Sequence, residues 1–402
     1  MGVSVEAFAC SCPSRTNPKE EVISVKKTAD VVVIGSGVIG CSTAYHLARM
    51  GITDVAVFEM DQVGSGSSGK SASMLSLQFC HDALSVRMAK YSYAKYMQFE
   101  EELGVSIDFK RTGWLSLATK ESADFLQRNA ELLQSLDVKT EVLEPGEIKD
   151  QYPEINTEDL VLATWGPDDG PFDPHMIMWG YIKRASDMGV KLYEDVRGTG
   201  IDIREGKVQG VITEKGFIST RIVVNAGGPW AIEIGRWAGI EIPIVNLARG
   251  VLVTGPVPEI PSTRPFVEDV TVEWYYRPEG PGVLMGMGTI PTEKLDVQIS
   301  YEMMDEMIKA AVHRVPLLEK ASVLKAWAGV RPTTLDDHPI LGPVSSVDGL
   351  ILNCGWGGTG IIQAPIAGQL VAEYVSNRTT STINIDPLRV GRFEDQVGKE
   401  SK

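Results

Sequence analysis

The residues best suited to ligand chemistry are the glycines of Gly35-Ser-Gly37-Val-Ile-Gly40 and the carboxylate of Glu59. Glycines at this spacing suit a tight turn that lays bare backbone against a pyrophosphate: Gly35 permits the turn, Gly37 the close approach, and Gly40 the packing of the following helix. That helix then turns its N–H groups and positive dipole end toward the diphosphate. An acid about 20 residues past such a turn accepts hydrogen bonds from ribose hydroxyls and repels a 2′-phosphate. A glycine triplet alone is a weak signal, and a strand-end Glu can simply be solvated. The signal strengthens if the turn lies between a strand and a helix with the acid ending the next strand.

The flanking residues meet that condition. Asp30-Val-Val-Val-Ile34 is a short β-branched run expected to form a buried parallel strand. Cys41 to Met50 carries Ala44, Leu47 and Ala48 on one helical face and is closed by Gly51. Val55-Ala-Val-Phe-Glu59 then supplies the second strand. Gly64-Ser-Gly-Ser-Ser-Gly-Lys-Ser-Ala-Ser73 follows, richer in hydroxyls than an NAD site needs. Ile222-Val-Val-Asn-Ala-Gly-Gly228 and Gly349-Leu-Ile-Leu-Asn-Cys-Gly-Trp-Gly-Gly-Thr-Gly360 repeat the strand and glycine turn, the second running into a helix from Ile361 to Tyr374. Returns to one site from such distant segments imply a long ligand, as FAD would be.

These motifs resemble the D-amino-acid oxidase-like FAD-dependent oxidoreductases, in particular the branch holding glycine oxidase, sarcosine oxidase and the β subunit of dye-linked proline dehydrogenase. The resemblance runs from about Ala29 to Asn377. It implies an α/β fold in which a Rossmann-like FAD-binding domain is interleaved with an α+β substrate domain built on an antiparallel sheet. The expected FAD domain comprises residues 29–108, 170–240 and 329–378, and the substrate domain 109–169 and 241–328. A flexible N-terminal tail (1–28) and a C-terminal tail (379–402) are expected at the ends. Gly113 to Ala118, Ile244 to Ala248 with Gly250 to Thr254, Thr271 to Tyr276, and Gly282 to Met287 read as strands of the substrate sheet.

By the same resemblance, FAD is contacted by Gly35, Ser36, Gly37, Ile39, Gly40, Glu59 and Met60, then by Ser67, Ser68, Lys70, Ser71 and Ser73 in the serine-rich loop. Val196, the second segment (Asn225, Ala226, Gly227, Trp230) and the C-terminal turn (Gly355, Gly357, Gly358, Thr359, Gly360) complete the set. The sequence lacks the cysteine and histidine through which relatives attach flavin, so non-covalent FAD is expected; Gly329 stands at the cysteine's position. Lys70 replaces a loop arginine common in relatives, with two readings open: a cation near the flavin or a solvent-facing lysine.

Arg331 in Ala328-Gly-Val-Arg-Pro332 matches the arginine that grips substrate carboxylate in glycine oxidase, where a planar fork binds at two points. A structural salt bridge to Asp336 or Asp337 is the alternative. Gap-free counting places the substrate tyrosine of glycine oxidase at Trp274, and Tyr276 shares that strand face. Both are candidates for the pocket roof, although aromatics on strands are more often core. Where glycine oxidase carries a second arginine, this chain has Gly358.

The implied activity is oxidation of a small amino acid or secondary amine, glycine, sarcosine or proline-like, to an imine by hydride transfer to flavin N5. The alternatives are an FAD-dependent 2-hydroxy-acid or glycerol-3-phosphate dehydrogenase, or a non-catalytic FAD electron-transfer subunit. A small-molecule amine substrate is expected, with an electron-accepting partner subunit and a homo-oligomer left open.

Composition bounds these readings. The 402 residues exceed one typical core, and 43% hydrophobic with 23% charged residues describes a globular chain. A net charge of −15 gives nucleic-acid or membrane-surface binding no electrostatic support. No apolar run is long enough for a membrane span. Five cysteines without framework spacing point to a reducing, cytoplasmic setting without disulfides. No metal is assigned, since Cys10 and Cys12 have no matching pair nearby and the histidines have no ligand spacing.

Overall fold

The computed structural model describes residues 25–393. The β-branched run at Val31–Ile34 forms a fully buried central strand, as its apolarity on both faces requires. It lies in a six-stranded sheet ordered Ile340–Pro343, Leu350–Cys354, Ile222–Asn225, Val31–Ile34, Val55–Phe58 and Lys191–Tyr193. All neighbours are parallel except Ile340–Pro343, which runs antiparallel to Leu350–Cys354. The Val38–Arg49 helix packs on one face beside the Gly360–Asn377 helix. Leu47, Leu370 and Val371 are fully buried there, and each such aliphatic side chain contributes roughly 1.5–3 kcal/mol. The approach is close: Ser42 Oγ donates to the Ala364 carbonyl at 2.6 Å, and a Cβ on Gly368 would lie 2.4 Å from that Oγ. This contact locks the N-terminal halves of the two helices against each other.

The second layer is an eight-stranded sheet ordered Val323–Thr334, Ile244–Thr254, Gly282–Pro291, Trp274–Glu279, Phe266–Asp269, Trp114–Thr119, Leu160–Gly166 and Glu141–Leu143. It is antiparallel apart from the pair Phe266–Asp269 and Trp114–Thr119, whose register sets Glu268 beside Ser116. One face packs on the Tyr301–Arg314 helix around Leu115, Leu117, Val267, Trp274 and Tyr276. The other face carries Trp114, Phe266 and Tyr275.

Several sequence expectations change. The strand expected from Thr271 begins at Trp274, because Asp269 Oδ1 accepts from Thr271 N and Glu273 takes a positive φ of 53°, forming a turn. The runs from Ile244 and Gly250 are one strand, Ile244–Thr254, with a register shift between Ala248 and Gly250. The expected boundary at residue 329 falls inside the strand Val323–Thr334, so Arg331 belongs to the larger sheet. Residues 379–393 are docked rather than a free tail: Ile385, Leu388 and Phe393 are buried, and Arg392 Nε donates to Asp336 at 2.7 Å. Within the expected N-terminal tail, residues 25–28 are attached, Thr28 bridging to Ser219; residues 1–24, with Cys10 and Cys12, lie outside the described residues. No described helix is long and apolar enough to cross a membrane.

Candidate active site

The glycine turn forms because its backbone needs glycine. Gly35 has φ +102°, and a Cβ there would sit 2.5 Å from the Ala226 carbonyl oxygen. A Cβ on Gly40 would lie 1.9 Å from the Gly35 carbonyl oxygen, so the helix can approach its own turn only without a side chain. At Gly37 the space is different: a Cβ would meet only Ser68 Oγ, at 3.3 Å, leaving bare backbone facing a cleft. Glu59 ends its strand with one carboxylate oxygen accepting from Ser36 N at 2.9 Å and Ser36 Oγ at 3.0 Å. The acid is thereby fixed to the turn across which a ribose-pyrophosphate would lie.

The cleft runs between the two sheets and encloses about 1850 Å³, part of it open to solvent. Its floor is Gly35, Gly37, Ile39, Glu59 and Met60. Ser67, Ser68, Lys70, Ser71 and Ser73 form one wall. Ser68 Oγ accepts from Val38 N at 3.1 Å, while Trp327 Nε1 donates to the Lys70 carbonyl and Arg277 Nε to the Ala72 carbonyl. The serine-rich loop is thus strapped to the Val38–Arg49 helix and to the larger sheet. Val196, Ala226, Gly227 and Trp230 line another side, and Gly355, Gly357, Gly358 and Gly360 close the far end.

Four expected contacts stand behind this lining. Ser36 is occupied with Glu59, and Gly40 is pressed against Gly35. Asn225 spans its own turn, donating to the Ala231 carbonyl and accepting from Gly227 N. Thr359 caps the last helix start, its carbonyl accepting from Gln363 N. They shape the cleft without facing it.

Arg331 is brought to the Gly357–Gly358 turn by pairing of its strand with Ile244–Thr254 and by donation from Gly357 N to the Pro332 carbonyl at 2.8 Å. Its guanidinium lies over the Phe79 ring, 5.6 Å from the centroid, and forms no ion pair among the described residues. The alternative of a salt bridge to Asp336 fails because Asp336 is held by Arg392, and Asp337 forms no ion pair among the described residues. Burial lowers the pKa of Arg331 to about 10, with the nearby Arg249 acting in the same direction. The absence of a second arginine at Gly358 has a steric basis: a Cβ there would lie 1.7 Å from Arg331 Nη2.

Trp274 and Tyr276 do not roof the cleft. Both are completely buried on the opposite face of the larger sheet, where Trp274 Nε1 and Tyr276 Oη have no hydrogen-bond partner among the described residues. Side chains alternate along a strand, so the residue between them, Tyr275, reaches the cleft and stacks on Phe266 at 5.1 Å. Sequence alternation identified the pair sharing a face but not which face. Glu268 and Arg249 also line the cleft and were missed; two adjacent acids, Glu268 and Asp269, directly following apolar Phe266 and Val267 were the available signal. Burial raises the Glu268 pKa to about 7 against the opposing pull of Arg249 and Arg331. Arg249 is itself engaged, donating to the Glu273 carbonyl at 3.0 Å and lying 5.1 Å over Tyr275.

A parallel-sheet nucleotide fold joined to a second sheet across a glycine-lined cleft defines a dinucleotide-binding two-domain protein of the flavoenzyme type. Residues 30–374 match the DAO family, described as FAD dependent oxidoreductase, and the chain belongs to that family. It is 30% identical over 391 residues to mitochondrial sarcosine dehydrogenase of Homo sapiens, covering 93% of this chain but 41% of that protein. The chain therefore spans less than half the length of that relative. It is also 30% identical to sarcosine oxidase subunit beta of Arthrobacter sp, over 92% of both chains. The L-proline dehydrogenase structure from P. horikoshii superposes with a TM-score of 0.85 at 31% identity, covering 92% of this chain and 99% of that one. The family is one of FAD-dependent oxidoreductases, and the bare backbone at Gly37, the fixed Glu59 and the glycine-lined far end fit FAD.

Proposed function

We propose that this chain oxidises a small amino acid or secondary amine, glycine, sarcosine or proline-like, to an imine. Arg331 carries this reading: a guanidinium without an ion pair, held at the junction of the two sheets beside the C-terminal glycine turn, is a carboxylate receptor. Gly35, Gly37, Glu59, Ser67, Ser68, Ala226, Gly227 and the Gly355–Gly360 turn would hold FAD, non-covalently. When bound, FAD supplies the two-electron acceptor for the substrate C–H bond. The protein's part is placement: Arg331 fixes the carboxylate in a planar grip, while Tyr275, Trp114 and Phe266 form an apolar wall that limits water.

A relative named as a subunit supports an electron-accepting partner subunit for this chain as well. The buried free thiols of Cys41, Cys80 and Cys354 fit a reducing, cytoplasmic setting. The test is anaerobic bleaching of the visible flavin band by amino acids, N-methylated glycines, proline and 2-hydroxy acids, followed by air. An amine that bleaches supports the reading, and the speed of recolouring separates oxidase from dehydrogenase. Bleaching by hydroxy acids alone overturns it.

A further inference from the structure

The strand Phe266–Asp269 carries two adjacent acids with opposite fates. Asp269 faces the core and is neutralised there, Arg314 Nη2 lying 2.7 Å from its Oδ2. Glu268 faces the cleft and forms no ion pair among the described residues, although Arg249 and Arg331, from two paired strands of the same sheet, line that cleft as well. Glu268 and Arg331 thus line one cleft as groups of opposite sign, neither forming an ion pair among the described residues.

We propose that Glu268 receives the amino group of the substrate, taking the ammonium proton while Arg331 holds the carboxylate. This rests on the amine-oxidation reading and sharpens it: the substrate class is a zwitterionic amino acid bound across opposite charges. The N–H bond of the ammonium breaks and an O–H bond forms on Glu268. The freed nitrogen lone pair then forms the C=N bond as the adjacent C–H electron pair leaves as hydride. Carbon is oxidised and FAD, the family's cofactor, is reduced. A 2-hydroxy acid carries no cationic group for Glu268 to bind at neutral pH.

The groups governing this proton transfer are Arg249 on Ile244–Thr254, Arg331 on Val323–Thr334, Tyr275 as the cross-strand neighbour and Glu273 in the adjoining turn. Lys70 lines the same cleft. Ser116 and Trp114 on the parallel neighbour do not titrate, and Trp114 Nε1 donates to Ser116 Oγ at 2.9 Å. Burial outweighs the pull of both arginines and of the nearby Trp114 indole N–H and leaves the carboxyl titrating at about 7, suited to accepting and releasing a proton.

The test is the FAD-loaded Glu268→Gln protein, with sarcosine, glycine and L-proline as reductants and butanoate, sarcosine's shape with carbon for nitrogen, as a non-amine ligand. Dissociation constants come from anaerobic reduction and from the shift of the flavin band. At neutral pH, binding of the best amine should weaken roughly ten- to hundredfold, as loss of a charge-assisted contact implies. Butanoate binding should stay within about twofold, and the ionisation near neutrality should vanish from the reduction profile, leaving the substrate's own amine to set it. Unchanged amine affinity and pH profile, or equal loss of butanoate, overturns the role of Glu268 while amine oxidation stands. A wild-type flavin that no amine bleaches removes both.

Discussion

Replacing Gly358 by alanine should disable the carboxylate receptor without touching a charged group. The added Cβ would stand 1.7 Å from Arg331 Nη2 and 2.5 Å from Cζ, and ordinary van der Waals contact begins near 3.4 Å, so the guanidinium must retreat by about 1.7 Å. A charge-assisted bond at ~2.8 Å does not survive that displacement. Each such bond contributes about 1.5–3 kcal/mol and the two arms of a fork are not additive, so a combined loss near ~3 kcal/mol is expected. That corresponds to weakening of substrate binding on the order of a hundredfold. The obstructed atoms end a flexible side chain, and Gly358 does not have the positive φ of Gly355 or Gly357. The fold should therefore tolerate alanine, whose smaller unfolded-state entropy even favours it by ~0.4–1 kcal/mol. The assay is anaerobic stopped-flow reduction, reading dissociation constant and limiting rate separately, with flavin content and Tm as controls. The same substitution in an Arg331→Ala background should add almost nothing. An unchanged dissociation constant in the single variant, or an undiminished effect in the double, would refute the steric route through Arg331.

Arg331→Lys should retain flavin yet lose about tenfold or more in kcat/KM, because an ammonium cannot grip a carboxylate at two points; steady-state kinetics at equal flavin content checks this. Glu59→Gln should weaken FAD binding roughly ten- to hundredfold by removing the charge on the ribose-facing acid, read as flavin release on dilution. His338 sits 3.2 Å from Asp82, which raises its pKa to about 8 from an ordinary 6.5. Folding gains most below pH 6.5, where the imidazole is charged in both states, and that gain disappears as pH rises through about 8. After solvent screening it amounts to about 1 kcal/mol, so the Tm gap between wild type and His338→Gln should close over that interval; a pH-independent gap would refute the pairing.

The nucleotide half was readable from residues because its determinants are local. A β-branched run, glycines spaced for one turn, and an acid ending the next strand each act within a few residues, and φ +102° at Gly35 with Glu59 bonded to Ser36 is what that spacing demands. Arg331 was legible only through resemblance, since nothing adjacent to it in sequence signals a carboxylate receptor. Tertiary structure decided which face of each substrate-sheet strand meets the cleft. Alternation groups Trp274 with Tyr276 and sets Tyr275 apart, but register with Phe266–Asp269 and packing of the Tyr301–Arg314 helix send the pair inward. The same placement pairs Asp269 with Arg314 and leaves its neighbour Glu268 facing the cleft. The contact between Gly358 and Arg331 joins the turn after Leu350–Cys354 to a strand of the larger sheet, and that distance exists only once the two sheets have packed together.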